Sequence, residues 1–192
     1  MSRRIALTCC MFAAIALSQT PALPKRVVMV IAPRDFRDEE LMVPLEYLRK
    51  QKVLVKVASI DTPEAVGMLG LHFMPDLELA DIDPEKFDGI ILVGGSGAVN
   101  LWPDTMLHRV VRGFADENKP VGAICLAPAI LARAGVLKGI KATVFLSARD
   151  ELLKGGAVGS KRDVEVSGNI ITAAGPRASL PFVKAFYKRL IK

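Results

Sequence analysis

The chain has 192 residues, of which 51% are hydrophobic and 24% charged, and its formal net charge is +6. This balance excludes a disordered chain and allows one domain with a substantial core. The Lys and Arg excess is scattered, with no dense basic run and no interleaved aromatics, which argues against nucleic-acid binding.

The first two dozen residues differ from the rest. Met1-Ser2-Arg3-Arg4 is short and positive, Ile5 to Leu17 is almost continuously apolar, and Ser18-Gln19-Thr20-Pro21-Ala22 is small and turn-prone. That layout predicts a secretory signal peptide within residues 1–24, cut after Ala22. An uncleaved anchor or an apolar extension is the alternative, although the run is short for a membrane span. Cleavage removes Arg3 and Arg4 and no acid, so the charge falls from +6 to +4. It also removes Cys9 and Cys10, which leaves Cys125 as the one cysteine of an exported chain, unable to form an internal disulfide. No membrane span is expected in the mature chain.

Residues 25–192 read as a single domain. Lys25 to Ala32 is a buried strand, and Glu39 to Gln51 carries Leu41, Pro44 or Leu45, and Leu48 at helical spacing. Val53 to Ile60 is a second strand, and Glu64 to Leu79 is irregular, an extended hairpin around Gly67 and Gly70. Phe87 to Val93 is a third strand, followed at once by Gly94-Gly95-Ser96-Gly97. Thr105 to Glu117 is an amphipathic helix, Pro120 to Cys125 a strand and Ala127 to Ala134 a helix. Lys141 to Leu146 is a short strand and Ala148 to Lys154 a helix. Val164 to Val166 and Asn169 to Ala173 flank a hairpin at Ser167-Gly168, and Leu180 to Lys192 closes the chain as a helix. Continuous apolar strands alternating with helices predict a doubly wound α/β fold, a mostly parallel sheet with helices on both faces. In such sheets a site lies beyond the carboxyl ends of the strands, where the strand order reverses.

Three features fall at strand ends. Cys125 sits where an apolar strand passes directly into helix-forming residues. It reads either as a small buried hydrophobe or as a thiol made acidic by a helix N-terminus, at a nucleophile elbow. The glycine loop lacks the spacing of a P-loop and of a dinucleotide fingerprint. It reads as a tight turn, or as the donor of a backbone N–H toward Cys125, which with the Leu126 N–H makes an oxyanion hole. The acidic run from Asp35 to Glu40 reads as helix capping. Glu40, inside the first turn, can also point across the strand ends; burial beside a thiolate would then raise its pKa. One mature cysteine and two dispersed histidines, His72 and His108, give no metal-ligand spacing.

Four motifs together resemble the ThiJ/PfpI superfamily, which includes the human Parkinson's-associated protein of that fold. They are Glu40 with Pro44, Gly94-Gly95 after an apolar strand, Ala123-Ile124-Cys125 with Pro128, and Gly168-Asn169-Ile170-Ile171-Thr172-Ala173 with Gly175-Pro176. The resemblance spans roughly Lys25 to the C-terminus. It implies a flavodoxin-like, class I glutamine amidotransferase-like fold. It implies Cys125 as a reactive thiolate, Glu40 protonated and hydrogen-bonded to it, and an oxyanion site at the Gly95 and Leu126 N–H groups. It also implies a homodimer with the site near the interface. No cofactor and no metal are expected. The chain departs from the peptidase members, which carry a histidine where Leu126 stands; other members carry one that corresponds to Phe145. His108 is expected on a helix surface and His72 in a loop, so a Cys–His dyad lacks support.

The expected activity is that of a cofactor-free glyoxalase or deglycase acting on a small reactive carbonyl. A redox-responsive protein that oxidises Cys125, a peptidase or amidase, and a binding module without turnover are the alternatives.

Overall fold

The structure is a computed structural model that describes residues 23–60 and 64–192. The expected leader lies outside the described residues. Among the described residues no helix is long and apolar enough to cross a membrane.

In chain order the elements are β1 (Arg26–Val30), β2 (Arg34–Phe36), α1 (Asp38–Lys50), β3 (Leu54–Ser59), β4 (Ala65–Gly67), β5 (His72–Phe73) and β6 (Leu77–Glu78). They continue with β7 (Gly89–Leu92), α2 (Thr105–Asp116), β8 (Val121–Ile124), α3 (Pro128–Arg133), β9 (Lys141–Ala142) and α4 (Arg149–Lys154). The last are β10 (Val158–Gly159), β11 (Val164–Ser167), β12 (Ile170–Ala173) and α5 (Ser179–Leu190). Seven strands form one sheet in the order β11-β12-β8-β7-β1-β3-β6. Every pairing in it is parallel except the hairpin β11–β12. From β1 the chain moves outward to β3 and β6, then returns to build β7, β8 and β12 on the other side. The order therefore reverses between β1 and β7.

Alternation along the strands divides the core in two. Val27, Met29 and Ile91 face one layer with Leu41 and Leu45 of α1 and Phe182 and Phe186 of α5. Val28, Val30 and Ile90 face the other with Leu107 and Phe114 of α2 and Ile130 of α3. Full burial of one such side chain stabilises by about 1.5–3 kcal/mol. The α5 aromatics pack closely on strand glycines: a Cβ on Gly89 or Gly122 would stand 2.9 Å from the Phe186 or Phe182 ring tip.

The irregular segment after β3 holds more order than expected. Strands β4 and β5 form the hairpin, and β2 joins them in a separate three-stranded sheet. The expected strand from Lys141 to Leu146 is only β9; residues Leu146–Ala148 form a 3-10 turn instead.

Candidate active site

Three successive carboxylates open α1, and each has a different partner. The Asp38 carboxylate accepts the Leu69 and Leu71 N–H groups, both at 2.9 Å, and so ties the turn after β4 to the helix start. Glu39 accepts the Arg37 guanidinium at 2.7 and 3.0 Å, and that hydrogen bond holds its carboxyl below the usual range. Glu40 is fully buried, and its Oε2 accepts the Gly94 N–H at 3.1 Å. No side chain caps this helix, so the acids complement its positive end only through the dipole.

The loop after β7 admits no side chain at Gly94 or Gly95. A Cβ on Gly94 would lie 2.6 Å from Cys125 Cβ and 2.6 Å from Glu40 Oε2, so the thiol-bearing residue and the carboxyl flank one point. Gly95 has φ +102°, and a Cβ there would collide with the Asp35 carbonyl. The Arg37 N–H donates to the Gly94 carbonyl at 3.0 Å, which locks the loop to the start of α1.

Cys125 follows β8 at φ +60°, a left-handed conformation that costs a non-glycine residue about 1 kcal/mol or more. Both of its peptide groups are fixed. Its N–H donates to the Ala173 carbonyl at 2.9 Å, and its carbonyl accepts the Phe145 N–H at 2.8 Å. The side chain is buried, and the Gly95 and Leu126 N–H groups are directed at the sulfur. The turn is held from outside by Trp102, whose indole Nε1–H donates to the Leu126 carbonyl at 3.0 Å. Sequence reading passed over Trp102, although it is the chain's single Trp and lies just beyond the glycine loop.

Burial dominates the electrostatics of this pair. It pushes Glu40 up to about 7, against the pull of its interactions with Cys125 and the Gly94 N–H. It also pushes the Cys125 thiol up to about 12, with the Glu40 charge adding to the rise and the Gly95 N–H opposing it. The sequence expectation of an acidified thiol therefore changes. Helix α3 has six residues and begins three positions after the cysteine, too short and too far to outweigh burial beside a carboxylate. Thiol and carboxyl are close enough to titrate as a pair, and burial disfavours the charged form of each. Among the described residues the buried Glu40 Oε1 has no hydrogen-bond partner, although the Cys125 thiol stands beside the carboxyl. A buried carboxyl oxygen left open in this way is costly unless a proton or a ligand uses it.

The four predicted site residues, Cys125, Glu40, Gly95 and Leu126, thus converge at the carboxyl ends of β7 and β8, beside the reversal of strand order. Neither histidine has its polar partner there. His72 Nδ1 lies 3.2 Å from a Glu64 carboxylate oxygen. His108 is half-buried instead of fully exposed, with Nε2 2.9 Å from the Trp102 carbonyl. Among the described residues no group of three or more His, Cys, Asp or Glu is arranged to hold a metal ion.

A doubly wound α/β domain with a thiol on a left-handed strand-to-helix turn, facing a buried glutamate, defines the class. The chain belongs to the DJ-1/PfpI family, which matches it over residues 25–189. An uncharacterized protein of Methanocaldococcus jannaschii is 46% identical over 154 residues, 79% of this chain and 75% of that one. The deglycase PfpI of Pyrococcus furiosus is 30% identical over 163 residues, 85% of this chain and 98% of that one. The solved ThiJ/PfpI domain protein of Brachyspira murdochii superposes with a TM-score of 0.85 at 30% identity, covering 88% of this chain and 97% of that one.

Proposed function

We propose that the protein is a cofactor-free cysteine enzyme that converts 2-oxoaldehydes such as methylglyoxal to 2-hydroxy acids, in the manner of a glyoxalase or deglycase. The observation that carries this reading is the pairing of Cys125 with a buried carboxyl whose pKa is raised to about 7. A group poised near neutrality can both accept and return a proton. The deglycase relatives support the same reading.

In the proposed course, ionised Glu40 takes the thiol proton as Sγ bonds to the aldehyde carbon. The carbonyl electrons move to oxygen, which the Gly95 and Leu126 N–H groups stabilise until Glu40 passes the thiol proton to it, giving a hemithioacetal and an ionised Glu40. Glu40 then takes the proton from that carbon and delivers it to the neighbouring carbonyl carbon through an enediol. The first carbon is oxidised to a thioester and the second reduced to an alcohol. Water cleaves the C–S bond, restores the thiol and releases the hydroxy acid, so methylglyoxal plus water gives lactate. On a hemiaminal, C–N cleavage with transfer of the hydroxyl proton to nitrogen frees the amine and the aldehyde, which then follows the same steps.

Lactate formation from methylglyoxal is the test. Wild type should turn over, and Cys125→Ala and Glu40→Gln should each lower kcat by about 10³-fold or more. Absence of lactate with wild-type protein overturns the reading. A second reading rests on the two N–H groups aimed at sulfur, which suit the oxygens of a sulfinate. Peroxide treatment and intact mass test it: no stable two-oxygen adduct on Cys125 would reject it. A peptidase reading is disfavoured, since Leu126 stands where the peptidase members carry a histidine. Export and self-association complete the proposal. They are read by N-terminal sequencing of the exported chain and by its mass in solution.

A further inference from the structure

The two backbone donors of the oxyanion site stand on different segments. Gly95 belongs to the loop after β7, and Leu126 follows Cys125 after β8. The ladder between β7 and β8 ends at Leu92 and Ala123, short of both donors. Beyond it, among the described residues and apart from bonds to the thiol itself, one hydrogen bond joins residues 93–104 to residues 125–128. It runs from the Trp102 indole N–H to the Leu126 carbonyl, at 3.0 Å.

Leu126 depends on that bond. The peptide that carries its N–H is held on one side, where the Cys125 carbonyl accepts the Phe145 N–H. On the other side the helical partner of the Leu126 carbonyl is weak: the Ala129 N–H reaches it only at 3.4 Å. Trp102 supplies the shorter bond there, and it is itself fixed. The 3-10 turn Ser96–Leu101 leads to it from Gly95, with Gly97, Ala98 and Leu101 buried. A Cβ on Gly97 would collide with the Arg34 carbonyl, so this turn lies tight against β2. The Trp102 carbonyl lies 2.9 Å from His108 Nε2, and the ring packs on the core layer of α2 and α3. The Arg133 guanidinium stands over the ring, 5.4 Å from its centre, and is held there by the Glu151 carboxylate at 2.6 and 2.9 Å.

We propose that Trp102 is a positioning residue for the oxyanion site, its indole N–H setting the spacing of the Gly95 and Leu126 donors. Its effect on turnover rests on the cysteine-enzyme reading above; its effect on the sulfur does not. Two N–H groups directed at Sγ favour the thiolate, and the same two favour the oxygen that gains charge in the reaction. Trp102 acts through Leu126 and needs no contact with the substrate.

Because the chain has one Trp, a tryptophan auxotroph fed benzothienylalanine exchanges the Trp102 indole alone for benzothiophene. The ring keeps its shape and only the N–H is lost. Two readouts are taken on the full chain: alkylation of Cys125 by iodoacetamide at about pH 8, followed by peptide mass, and kcat and KM for methylglyoxal. Loss of the N–H should slow alkylation about fivefold and lower kcat about tenfold, with KM changed less than about twofold. A merely structural role has the opposite sign, because a loosened turn exposes the buried thiol and speeds alkylation. Substitution by 7-azatryptophan, which keeps the N–H, should restore both readouts. Alkylation that is unchanged or faster, an unchanged kcat in an active protein, or failure of that rescue overturns the proposal. Slower alkylation in a protein whose wild type shows no turnover upholds the positioning role at sulfur and rejects the enzyme reading. Thermal melting checks the fold, and if the benzothiophene protein does not fold, Trp102→Phe carries the same two readouts.

Discussion

The two ends of the central sheet use the same unusual backbone for different purposes. At the amino ends of the strands, Lys52 at φ +61° and Asn118 at φ +56° follow α1 and α2, and Gly168 at φ +61° turns the β11–β12 hairpin. These residues are exposed and reverse the chain. At the carboxyl ends, Asp35 at φ +57° is also exposed, but Cys125 at φ +60° and Gly95 at φ +102° are buried and crowded. A left-handed residue in an open turn is ordinary turn chemistry. At Cys125 the same conformation, walled in and hydrogen-bonded at both peptide groups, is strain that the fold maintains. The difference identifies which end is built to hold reacting groups.

The largest expected effect comes from filling the crowded end. Gly94→Ala drives a methyl into Cys125, Glu40 and the Ile124 carbonyl, each at 2.6 Å. It should cost about 3 kcal/mol in urea unfolding and abolish turnover. Survival of both would mean that thiol and carboxyl are not held together by that loop.

Glu40 gives the next effect, and its sign is fixed by its raised pKa. Between its ordinary 4.5 and about 7, the folded protein binds more protons at Glu40 than the unfolded chain does. Stability from this group is therefore fully present below pH 4.5 and lost as pH rises through 7. The loss is about 3 kcal/mol in total. Glu40→Gln, which stays neutral, should match wild type near pH 4 and exceed it near pH 8 by up to that amount. Parallel stability curves across this range would show that the carboxyl is not buried as described.

Much of this arrangement was legible in the sequence, because local rules wrote it. Apolar runs such as Val27–Ile31 and the Leu41, Leu45, Leu48 spacing placed the strands and helices. The abrupt joint at Cys125 placed the elbow. What escaped was set by partners far along the chain. Asp38 looks like a helix-start acid, but its ligands are the N–H groups of Leu69 and Leu71. Trp102 clamps Leu126 from 24 residues away. The acidity of Cys125 was misjudged for a related reason: it depends on burial and on Glu40, which the flanking helix does not reveal. No periodicity marks β2, three residues long, or the stop of β9 after Ala142.

The open end should be far more tolerant. Gly168→Ala meets nothing within 4 Å, so only the left-handed backbone resists it. It should cost about 1 kcal/mol and leave turnover unchanged. A loss near that of Gly94→Ala would erase the distinction between the two ends.

The smallest effect has the opposite sign. Lys52 is exposed, and its N–H donates to the Arg49 carbonyl at 2.9 Å, a bond that glycine retains. Lys52→Gly removes the Cβ penalty of a left-handed residue but adds freedom to the unfolded chain. Relief of about 1 kcal/mol against an entropic cost of a few tenths leaves a net stabilisation of about 0.5 kcal/mol. Turnover should not change, because Lys52 lies at the end of the sheet away from Cys125. Urea midpoints at constant m-value measure it. A destabilised Lys52→Gly would mean that the lysine side chain holds its turn. Left-handed backbone would then be maintained by its surroundings at both ends of the sheet, and Cys125 would lose its claim to be the exception.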